Sequence, residues 1–501
     1  MEVEKIIITF LILLIGFYTY LQMAWKAKPQ KDSFSSFFLG GRRIGQSLTF
    51  HTNWGLGFSF SNGFWFNVFL GYTSSLFVVY SGLLWSLSII GVGLLLPFIR
   101  KATKNGDTIH GYIGSKFGLA SQYVACIATA IGYIFNFGFE IYFSSEIFMN
   151  SIGLPELTLF LSIGLAIFSG LYCMIGGYAA NTKTDKPQNY IGIVCAIILF
   201  VLLFYSTYYP QDGSEPLQSS AYFFSLPPLP VLIGLSTFLI LFNSIDMANW
   251  QMIAANGDLS DEMTPGLKKA FYKSACLQYL MPSMIGCITG VFLSKVSGIQ
   301  DNLLITEAIN IAISQLPLYI SYFISGLILF GLLSTTLSSG DTYLLALMHT
   351  LFIDLFKRKE YVSISKNHDD NMEEAYIKRL KPWMIFFALF SVMSFHFLYK
   401  NSPPGFIFQF QFIMYGTALA LIPPIFYSFH KMRRNEKISS WMNGWTLLSI
   451  MGGVLASIIP YFYVLLHSNK DFSSYAPIFT LSISTAIFST GLFSKYLLSK
   501  K

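Results

Sequence analysis

Thirteen apolar segments recur along this chain of 501 residues, and each is close to the roughly 20 residues that an α-helix needs to cross a bilayer. Their approximate centres are residues 14, 60, 87, 132, 167, 198, 239, 283, 335, 391, 416, 453 and 486. Only 11% of the residues are charged, against about 25% in a typical soluble domain. The sequence therefore predicts an all-α integral membrane protein with about 13 transmembrane helices. No loop between the segments is long enough for a soluble domain, so the function must lie in the membrane bundle.

The lysine and arginine residues predict the orientation of this bundle. If the N-terminus is outside, 28 of the 32 basic residues fall in inside loops or in the C-terminal tail. The C-terminus is then inside, and the net charge of +7 belongs to the cytoplasmic side, so it does not indicate nucleic-acid binding. The first apolar segment, 6–21, has no basic region before it and no small-residue cleavage site after it. We therefore expect a retained helix.

A polar tract interrupts the apolar stretch 318–352. Ser338, Asp341 and Thr342 have the i, i+3 and i+4 spacing that places side chains on one helix face, and Ser339 lies one step round the helix. Hydroxyls and a carboxylate are costly to bury in hydrocarbon, so the tract indicates a functional site. Its oxygen donors suit a small hard cation, and none suits a soft metal.

Two spans carry residues that weaken a helix in mid-membrane. The second span contains Asn53-Trp54-Gly55-Leu56-Gly57, and the seventh contains Asn243-Ser244-Ile245-Asp246. Interrupted helices at corresponding places in two halves indicate a transport site at the interface between repeats. Spans two to six and seven to eleven are two sets of five that start in opposite directions, which predicts an inverted repeat. The predicted units are an extra N-terminal helix in 1–25, the repeats 44–210 and 228–430, and two further helices in 438–501.

Four tracts resemble, in order, motifs of the sodium:solute symporter family, whose members carry sugars, proline, sialic acid and urea-type solutes. The tracts are Phe37-Phe38-Leu39-Gly40-Gly41-Arg42; Gly176-Gly177-Tyr178-Ala179-Ala180 with Thr184-Asp185 and Gln188; Asp246 with Trp250-Gln251 and Ala254-Ala255; and the tract at 338–342, similar to STADS, with Leu344-Leu345-Ala346 and Asp354. The resemblance covers most of the chain. It implies a LeuT-like transporter with broken helices and a five-plus-five inverted repeat.

The resemblance implies a sodium ion held between the second and ninth spans. The ninth span would supply the hydroxyls of Ser338 and Ser339 and the carbonyl of Thr335, and the second span would supply carbonyls near Gly55 and Phe58. Carbonyl dipoles and hydroxyls can replace a hydration shell at an unwound helix, and weak binding permits release inside. In the alternative interpretation, the two serines hydrogen-bond to their own helix or hold helices together.

Asp185, Asp341 and Thr342 fall where some members of this family place a second cation. If the two carboxylates approach each other, they need a cation or a proton between them. A second sodium ion and a protonated Asp341 are both open at this point. In the alternative interpretation, Asp341 pairs with a lysine or arginine of a loop to lock the inside gate, and Asp185 caps the next helix.

Six residues are candidates for the substrate site: Asn62, Trp65, Glu140, Asp246, Trp250 and Gln251. Glu140 lies in the fourth span, where related carriers often have Gln, and could bind a substrate or carry a proton. The alternative for Glu140 is a structural acid in a salt bridge or in its protonated form. Met252 replaces the arginine that the family usually has after Gln251, so an ion pair made by that arginine at the inside gate lacks one partner here.

The sequence therefore predicts a sodium-coupled secondary active symporter that imports a small polar solute by alternating access across the plasma membrane. The expected partners are Na⁺, the solute and the lipid bilayer, and the oligomeric state stays open. A proton-coupled carrier and a transporter-like solute sensor are alternatives. A multi-span membrane enzyme is a remote alternative, because the seven histidines form neither an HExxH motif nor a His-rich cluster.

Overall fold

The structure is a computed structural model that describes residues 2–104, 108–208, 227–257, 264–293, 303–356, 370–402, 407–467 and 470–498. Over these residues, the regular secondary structure is helical throughout. The α-helices are α1 (Glu2–Ala27), α2 (Phe34–Leu39), α3 (Gly45–Gly57), α4 (Phe66–Thr73), α5 (Ser75–Ala102), α6 (Ile109–Phe117), α7 (Leu119–Ser151), α8 (Thr158–Tyr208), α9 (Leu229–Ile245), α10 (Met247–Ala254), α11 (Thr264–Leu293), α12 (Leu304–Ile313), α13 (Leu318–Thr350), α14 (Asp370–Asn401), α15 (Ile407–Gly416), α16 (Ile422–Arg433), α17 (Trp441–His467) and α18 (Ala476–Leu498).

Ten stretches within the described residues are long and apolar enough to cross a membrane. One of them, Pro155–Ser206, has 52 residues. As a straight α-helix it would be about 78 Å long, more than twice a hydrocarbon core of roughly 30 Å. The prediction of an all-α membrane protein is confirmed. The count of thirteen helices, the outside position of the N-terminus and the boundaries of the repeats stay predictions.

Helix α8 is divided at Gly177, where the backbone leaves the helical region (φ 56°, ψ −154°). We refer to residues 158–176 as the first arm and to residues 178–208 as the second arm. A Cβ atom at Gly177 would lie 2.5 Å from the carbonyl oxygen of Phe37, so α2 packs directly against the bend. A positive φ together with this close approach requires glycine at residue 177.

The helix of the second span is broken, as predicted. Helix α3 ends at Gly57, Ser59 is extended (φ −68°, ψ 158°), and a π-helical turn covers Phe60–Trp65 before α4 begins. The backbone N–H of Gly63 donates to the side chain of Ser59 at 3.1 Å and to its carbonyl at 3.0 Å. These bonds satisfy polar backbone groups at the break, where surrounding hydrocarbon could not.

The predicted interruption in the seventh span lies at Asp246. This residue is extended (φ −66°, ψ 123°) and separates α9 from α10. Its carboxylate accepts hydrogen bonds from the backbone N–H groups of Ala248 at 3.3 Å and Asn249 at 3.2 Å. Asp246 is therefore the N-cap of α10, because it satisfies N–H groups that the first helical turn leaves without partners.

Helix α13 forms the centre of the bundle. Every residue from Ile328 to Thr350 is buried, and the helix packs against α1, α7 and α8. A helix that is buried on all sides lies in a protein core rather than at the lipid surface. The polar tract 338–342 therefore faces protein on all sides, between the two arms of α8 and the end of α3.

Replacement of Gly177 by alanine tests the bend of α8. We expect Gly177→Ala to lower the stability of the purified protein by roughly 1–3 kcal/mol, because alanine must adopt the left-handed region and contact Phe37. Thermal unfolding in detergent, followed by intrinsic fluorescence, measures this change. Gly164→Ala on the first arm is the matched control, since a Cβ atom there meets nothing within 4 Å. Equal unfolding temperatures for the two variants would contradict the assigned role of the bend.

Candidate functional site

Three helices bring oxygen atoms together around Asp185. The Ser338 hydroxyl of α13 donates to one carboxylate oxygen of Asp185 at 2.8 Å, and the Thr52 hydroxyl of α3 donates to the other at 2.5 Å. Asn189, one turn further along the second arm, places its side-chain oxygen 3.4 Å from the Ser338 hydroxyl. These residues are fully buried. We refer to Thr52, Asp185, Asn189 and Ser338, together with the backbone at Gly55, as the Asp185 cluster.

Gly55 allows α3 to approach this cluster closely. A Cβ atom on Gly55 would lie 2.5 Å from the Ser338 hydroxyl oxygen and 3.0 Å from the side-chain oxygen of Asn189. The last hydrogen bond of the α3 ladder joins the N–H of Phe58 to the carbonyl of Trp54 at 2.9 Å. The carbonyls that follow Trp54 have no donor from the helix ladder, so they are suited to a cation.

The other predicted sodium ligands lie on the same side of α13. The Ser339 hydroxyl donates to the carbonyls of Thr335 at 3.1 Å and Thr336 at 3.2 Å. This is the bond to its own helix that the alternative interpretation expected, but it leaves lone pairs on the hydroxyl oxygen. Thr335 and the ring of Phe58 both lie against Gly192 of the second arm. The structure thus places Gly55, Phe58, Thr335 and Ser338 around one junction of α3, α8 and α13, whereas the described hydrogen bonds of Ser339 stay within α13.

Asp341 and Thr342 form a second polar group one turn further along α13. Ser169 of the first arm donates to the Asp341 carboxylate at 2.5 Å, and Asn181 of the second arm donates to the Thr342 hydroxyl at 2.8 Å. The Thr342 hydroxyl also donates to the carbonyl of Ser338 at 3.1 Å, so this group adjoins the Asp185 cluster. Both polar groups therefore lie within the fold of α8 around α13.

Within the described part of the chain, neither Asp185 nor Asp341 forms an ion pair with a lysine or arginine. Asp341 contacts Ser169 rather than the basic loop residue of the alternative interpretation. Asp185 lies within the second arm rather than at a helix N-terminus. A buried carboxylate that has only neutral partners demands a cation or a proton. The oxygen donors around Asp185 fit a small hard cation.

A cavity of about 80 Å³ lies next to the Asp185 cluster, on the other side of α3. Seven helices line it: α3, α4, α5, α9, α11, α13 and α15. The aromatic lining residues are Phe66, Trp85, Phe238, Phe242, Tyr343 and Tyr415, and the polar ones include Asn67, Ser81 and Gln278. Leu56 and Gly57 contribute the wall at the break of the second span. An enclosed space of this kind, mainly apolar with a few polar groups, is typical of a small-molecule site.

None of the predicted substrate residues whose side chains the structure describes lines this cavity. Trp65 packs against Phe143 with ring centroids 4.8 Å apart. Glu140 accepts a hydrogen bond from the backbone N–H of Ser61 at 3.1 Å, at the break of the second span. Asp246 accepts a hydrogen bond from the hydroxyl of Tyr133 in addition to its bonds as the cap of α10. The side chain of Asn62 lies outside the described part of the structure.

Trp250 and Gln251 are further along α10. The indole of Trp250 donates to the carbonyl of Ser244 at 3.0 Å and stacks on Phe429. Gln251 donates to the carbonyl of Phe38 in α2 at 2.8 Å. The structure therefore separates these two residues from the cavity and places Gln251 against the segment that precedes α3.

The contacts between the start of α3 and the end of α10 are neutral. The N–H of Ile44 donates to the carbonyl of Ala255 at 3.2 Å, and the N–H of Gly45 donates to the side chain of Asn256 at 2.8 Å. Asn256 also donates to the Thr49 hydroxyl at 2.9 Å. We refer to these contacts, together with the Gln251 bond, as the α3–α10 seal. Its described contacts are hydrogen bonds between amide and hydroxyl groups. This agrees with the sequence, in which Met252 replaces the arginine of the family motif.

Sequence reasoning missed the residues that connect the two sites. Gln278 of α11 accepts a hydrogen bond from the indole of Trp85 at 2.6 Å and donates to the carbonyl of Asn53 at 2.8 Å. It also donates to Ser274 at 2.7 Å. A glutamine in an apolar helix was the available signal, since polar side chains within a membrane span usually face protein or a cavity.

No protein-family profile matches the chain, and no curated protein matches it. Solved structures do match. The chain is similar to a sodium-coupled sialic acid symporter in a substrate-bound, outward-open state, with a TM-score of 0.67 and 14% identity over 96% of this chain and 98% of that one. It is also similar to Mhp1, a nucleobase-cation-symport-1 family transporter in a closed conformation with bromovinylhydantoin bound (TM-score 0.54, 12% identity, 93% of this chain and 94% of that one).

A third similar structure is MhsT in complex with L-phenylalanine (TM-score 0.50, 14% identity, 88% of this chain and 98% of that one). Identities this low establish the fold alone. The chain therefore has the LeuT-like fold of these structures, and the predicted fold class is confirmed.

Replacement of Gly55 tests whether the Asp185 cluster binds a cation. We expect Gly55→Ala to weaken Na⁺ binding at least about tenfold, or about 1.4 kcal/mol, because the added methyl group fills the space beside Ser338. The measurement is the rise in unfolding temperature on Na⁺ addition, with K⁺ keeping the ionic strength constant. Gly91→Ala in α5 is the matched control, since a Cβ atom there meets nothing within 4 Å. An unchanged Na⁺ response in Gly55→Ala would contradict the assignment.

Proposed function

We propose that this chain is a sodium-coupled symporter of the sodium:solute symporter type, which imports a small polar solute across the plasma membrane by alternating access. One observation carries the proposal: the buried Asp185 carboxylate has two hydroxyl partners at the junction of α3, α8 and α13. In the described part of the chain, no lysine or arginine pairs with it. The likeness to a sodium-coupled sialic acid symporter supports the same conclusion at the level of the fold.

The oxygen donors around Asp185 fit a sodium site better than a purely structural cluster. A hydroxyl that donates to the carboxylate still has oxygen lone pairs for a cation, and this holds for both Thr52 and Ser338. Carbonyl groups at the end of α3 complete an all-oxygen site. A bound Na⁺ would neutralise Asp185 and attach α3 to α8 and α13.

The proposed coupling uses the end of α3. Thr52 and Gly55 contact the Asp185 cluster, and Leu56 and Gly57 line the cavity. An ion that fixes the end of α3 therefore also fixes one wall of the solute site. Binding at one site then favours binding at the other, since a coupling free energy is reciprocal. Opening of the α3–α10 seal would release both to the cytoplasm.

The second polar group supports a second coupled cation or a proton. Asp341 is buried and has Ser169 as its hydroxyl partner. Two nearby carboxylates are stable together only if a positive charge is bound between or beside them. We propose that Asp185, Asp341 and Thr342 hold this charge. A proton there would make the protein a sodium- and proton-coupled carrier.

In this proposal, the predicted substrate residues act indirectly, through the residues of the cavity wall. Glu140 and Asp246 both interact electrostatically with Tyr343, which lines the cavity. We propose that they orient the hydroxyl of Tyr343 and set the negative potential of the solute site. Trp65 supports the wall from behind. Trp250 and Gln251 would meet the solute as the seal opens toward the cytoplasm.

Combined replacement of Ser338 and Ser339 tests the function. In proteoliposomes, we expect the wild type to exchange radioactive Na⁺, and we expect Ser338→Ala with Ser339→Ala to lose this exchange and the Na⁺-dependent rise in unfolding temperature. The matched control is Ser391→Ala, because the Ser391 hydroxyl is also buried and bonded to its own helix. Full Na⁺ exchange in the double variant would remove the sodium site from α13. A Na⁺ response without any exchange in the wild type would favour a sensor.

Replacement of Asp341 by asparagine tests the second cation. Asn preserves the shape of the side chain and removes its charge, so we expect Asp341→Asn to reduce the number of cations bound with each solute. If the second cation is Na⁺, the Hill coefficient for Na⁺ falls toward one. If it is a proton, the pH dependence of Na⁺-driven exchange flattens and the Hill coefficient does not change. A variant with both properties intact would show that Asp341 is structural.

A further inference from the structure

The wall of the cavity carries no formal charge. Aromatic rings from five helices and a few aliphatic groups make up most of it, and its polar groups are amides and hydroxyls. Among the lining residues that the structure describes, there is no Asp, Glu, Lys, Arg or His. A charged solute that leaves water needs an opposite charge in direct contact, because burial of an unpaired ion is costly.

The polar side chains of the wall are largely occupied by other contacts. The Gln278 amide bonds Trp85, Asn53 and Ser274, and the Ser81 hydroxyl donates to the carbonyl of Val78 at 2.9 Å. The hydrogen-bonding capacity that these groups still offer to a solute consists mainly of oxygen lone pairs. The cavity can therefore satisfy a few N–H or O–H groups at one edge of a solute, but not a hydroxyl on every carbon.

The acidic residues nearest the cavity lie behind its wall. Neither Glu140 nor Asp246 is among the described lining residues, and each accepts hydrogen bonds, from Ser61 and from Tyr133 respectively. They therefore supply no carboxylate to the described wall. A cationic solute finds no partner in contact there.

The rings of the wall favour a flat solute. Phe238, Phe242 and Tyr415 contact one another, with ring centroids 4.9–5.3 Å apart, and Trp85 stacks beside Phe242. Aromatic faces bind conjugated groups by stacking. The rings of this wall are therefore suited to a flat, conjugated solute.

From these four observations we propose that the transported solute is a compact, uncharged, planar molecule with a conjugated face and an amide- or ureide-type edge. This inference rests on the proposed function, because it names the solute that the symporter carries. The described wall offers carboxylates, zwitterions and ammonium compounds no opposite charge in contact. The small number of hydrogen-bonding groups disfavours polyhydroxylated sugars.

Isosteric probes of different charge test this proposal. Benzamide, benzoate and benzamidine have nearly the same shape, and uracil is a compact ureide. In Na⁺ buffer, we expect benzamide and uracil to raise the unfolding temperature of the purified protein and to bind at least about tenfold tighter than benzoate and benzamidine. Equal or tighter binding of either charged probe would overturn the proposal. So would the absence of binding by benzamide and uracil at millimolar concentration.

The same experiment separates this inference from the proposed function. If Na⁺ alone stabilises the wild type and this effect is lost in the double variant Ser338→Ala with Ser339→Ala, the result concerns only the ion site. A protein that responds to Na⁺ but binds benzoate best would keep the symporter assignment and reject the solute class. A protein that binds benzamide with the same affinity in Na⁺ and K⁺ would keep the solute class and reject the sodium coupling.

A new carboxylate on the wall tests where the probes bind. Asn67→Asp adds a charge at nearly constant volume, so we expect the preference to shift at least about tenfold from benzamide toward benzamidine. Ser81→Asp does the same from α5, should the first variant fail to fold. Asn443→Asp, outside the cavity, is the matched control and should keep the preference for benzamide. Unchanged relative affinities in folded Asn67→Asp and Ser81→Asp would show that the probes bind elsewhere.

Discussion

The contact of Asp185 with Thr52 and Ser338 is the interaction on which the rest of this structure depends. A carboxylate at the centre of a membrane bundle is stable only if oxygen-bound hydrogens and a positive charge surround it. Three helices meet at this point, because two of them supply hydroxyl groups that donate to the carboxylate of the third. The bend at Gly177 lets both arms of α8 contact α13, and the missing Cβ atom of Gly55 lets α3 reach the same place. The glycines and the carboxylate are therefore parts of one arrangement.

The break in the second span connects this arrangement with the cavity. One turn of α3 faces the Asp185 cluster through Thr52 and Gly55, and the next residues, Leu56 and Gly57, form part of the cavity wall. Asn53 extends the connection through Gln278 to Trp85. A regular helix would keep its carbonyls in its own ladder and would have no backbone groups to offer either site. In the proposed function, the interruption thus supplies both the ligands and the coupling.

Some of these features can be predicted from the sequence, and others cannot. The polar tract of α13 and the two helix breaks follow from residue type and spacing along one helix, and the structure has them in the predicted places. The cavity wall depends on which helices become neighbours, and spacing along one helix carries no information about that. Gln251 illustrates the limit. It follows Asp246 by five residues, about 7.5 Å along a helix, which is enough to place it at the α3–α10 seal instead of the cavity.

The neutral character of the α3–α10 seal sets the cost of opening it. Its four hydrogen bonds join Ile44 to Ala255, Asn256 to Gly45 and Thr49, and Gln251 to Phe38. A net value of about 0.5–1.5 kcal/mol for each gives a seal of roughly 2–6 kcal/mol, since water replaces the lost partners when it opens. A shift of a two-state equilibrium from 1:99 to 99:1 needs about 5.5 kcal/mol. The strength of this seal is therefore of the same order as the free energy of such a shift.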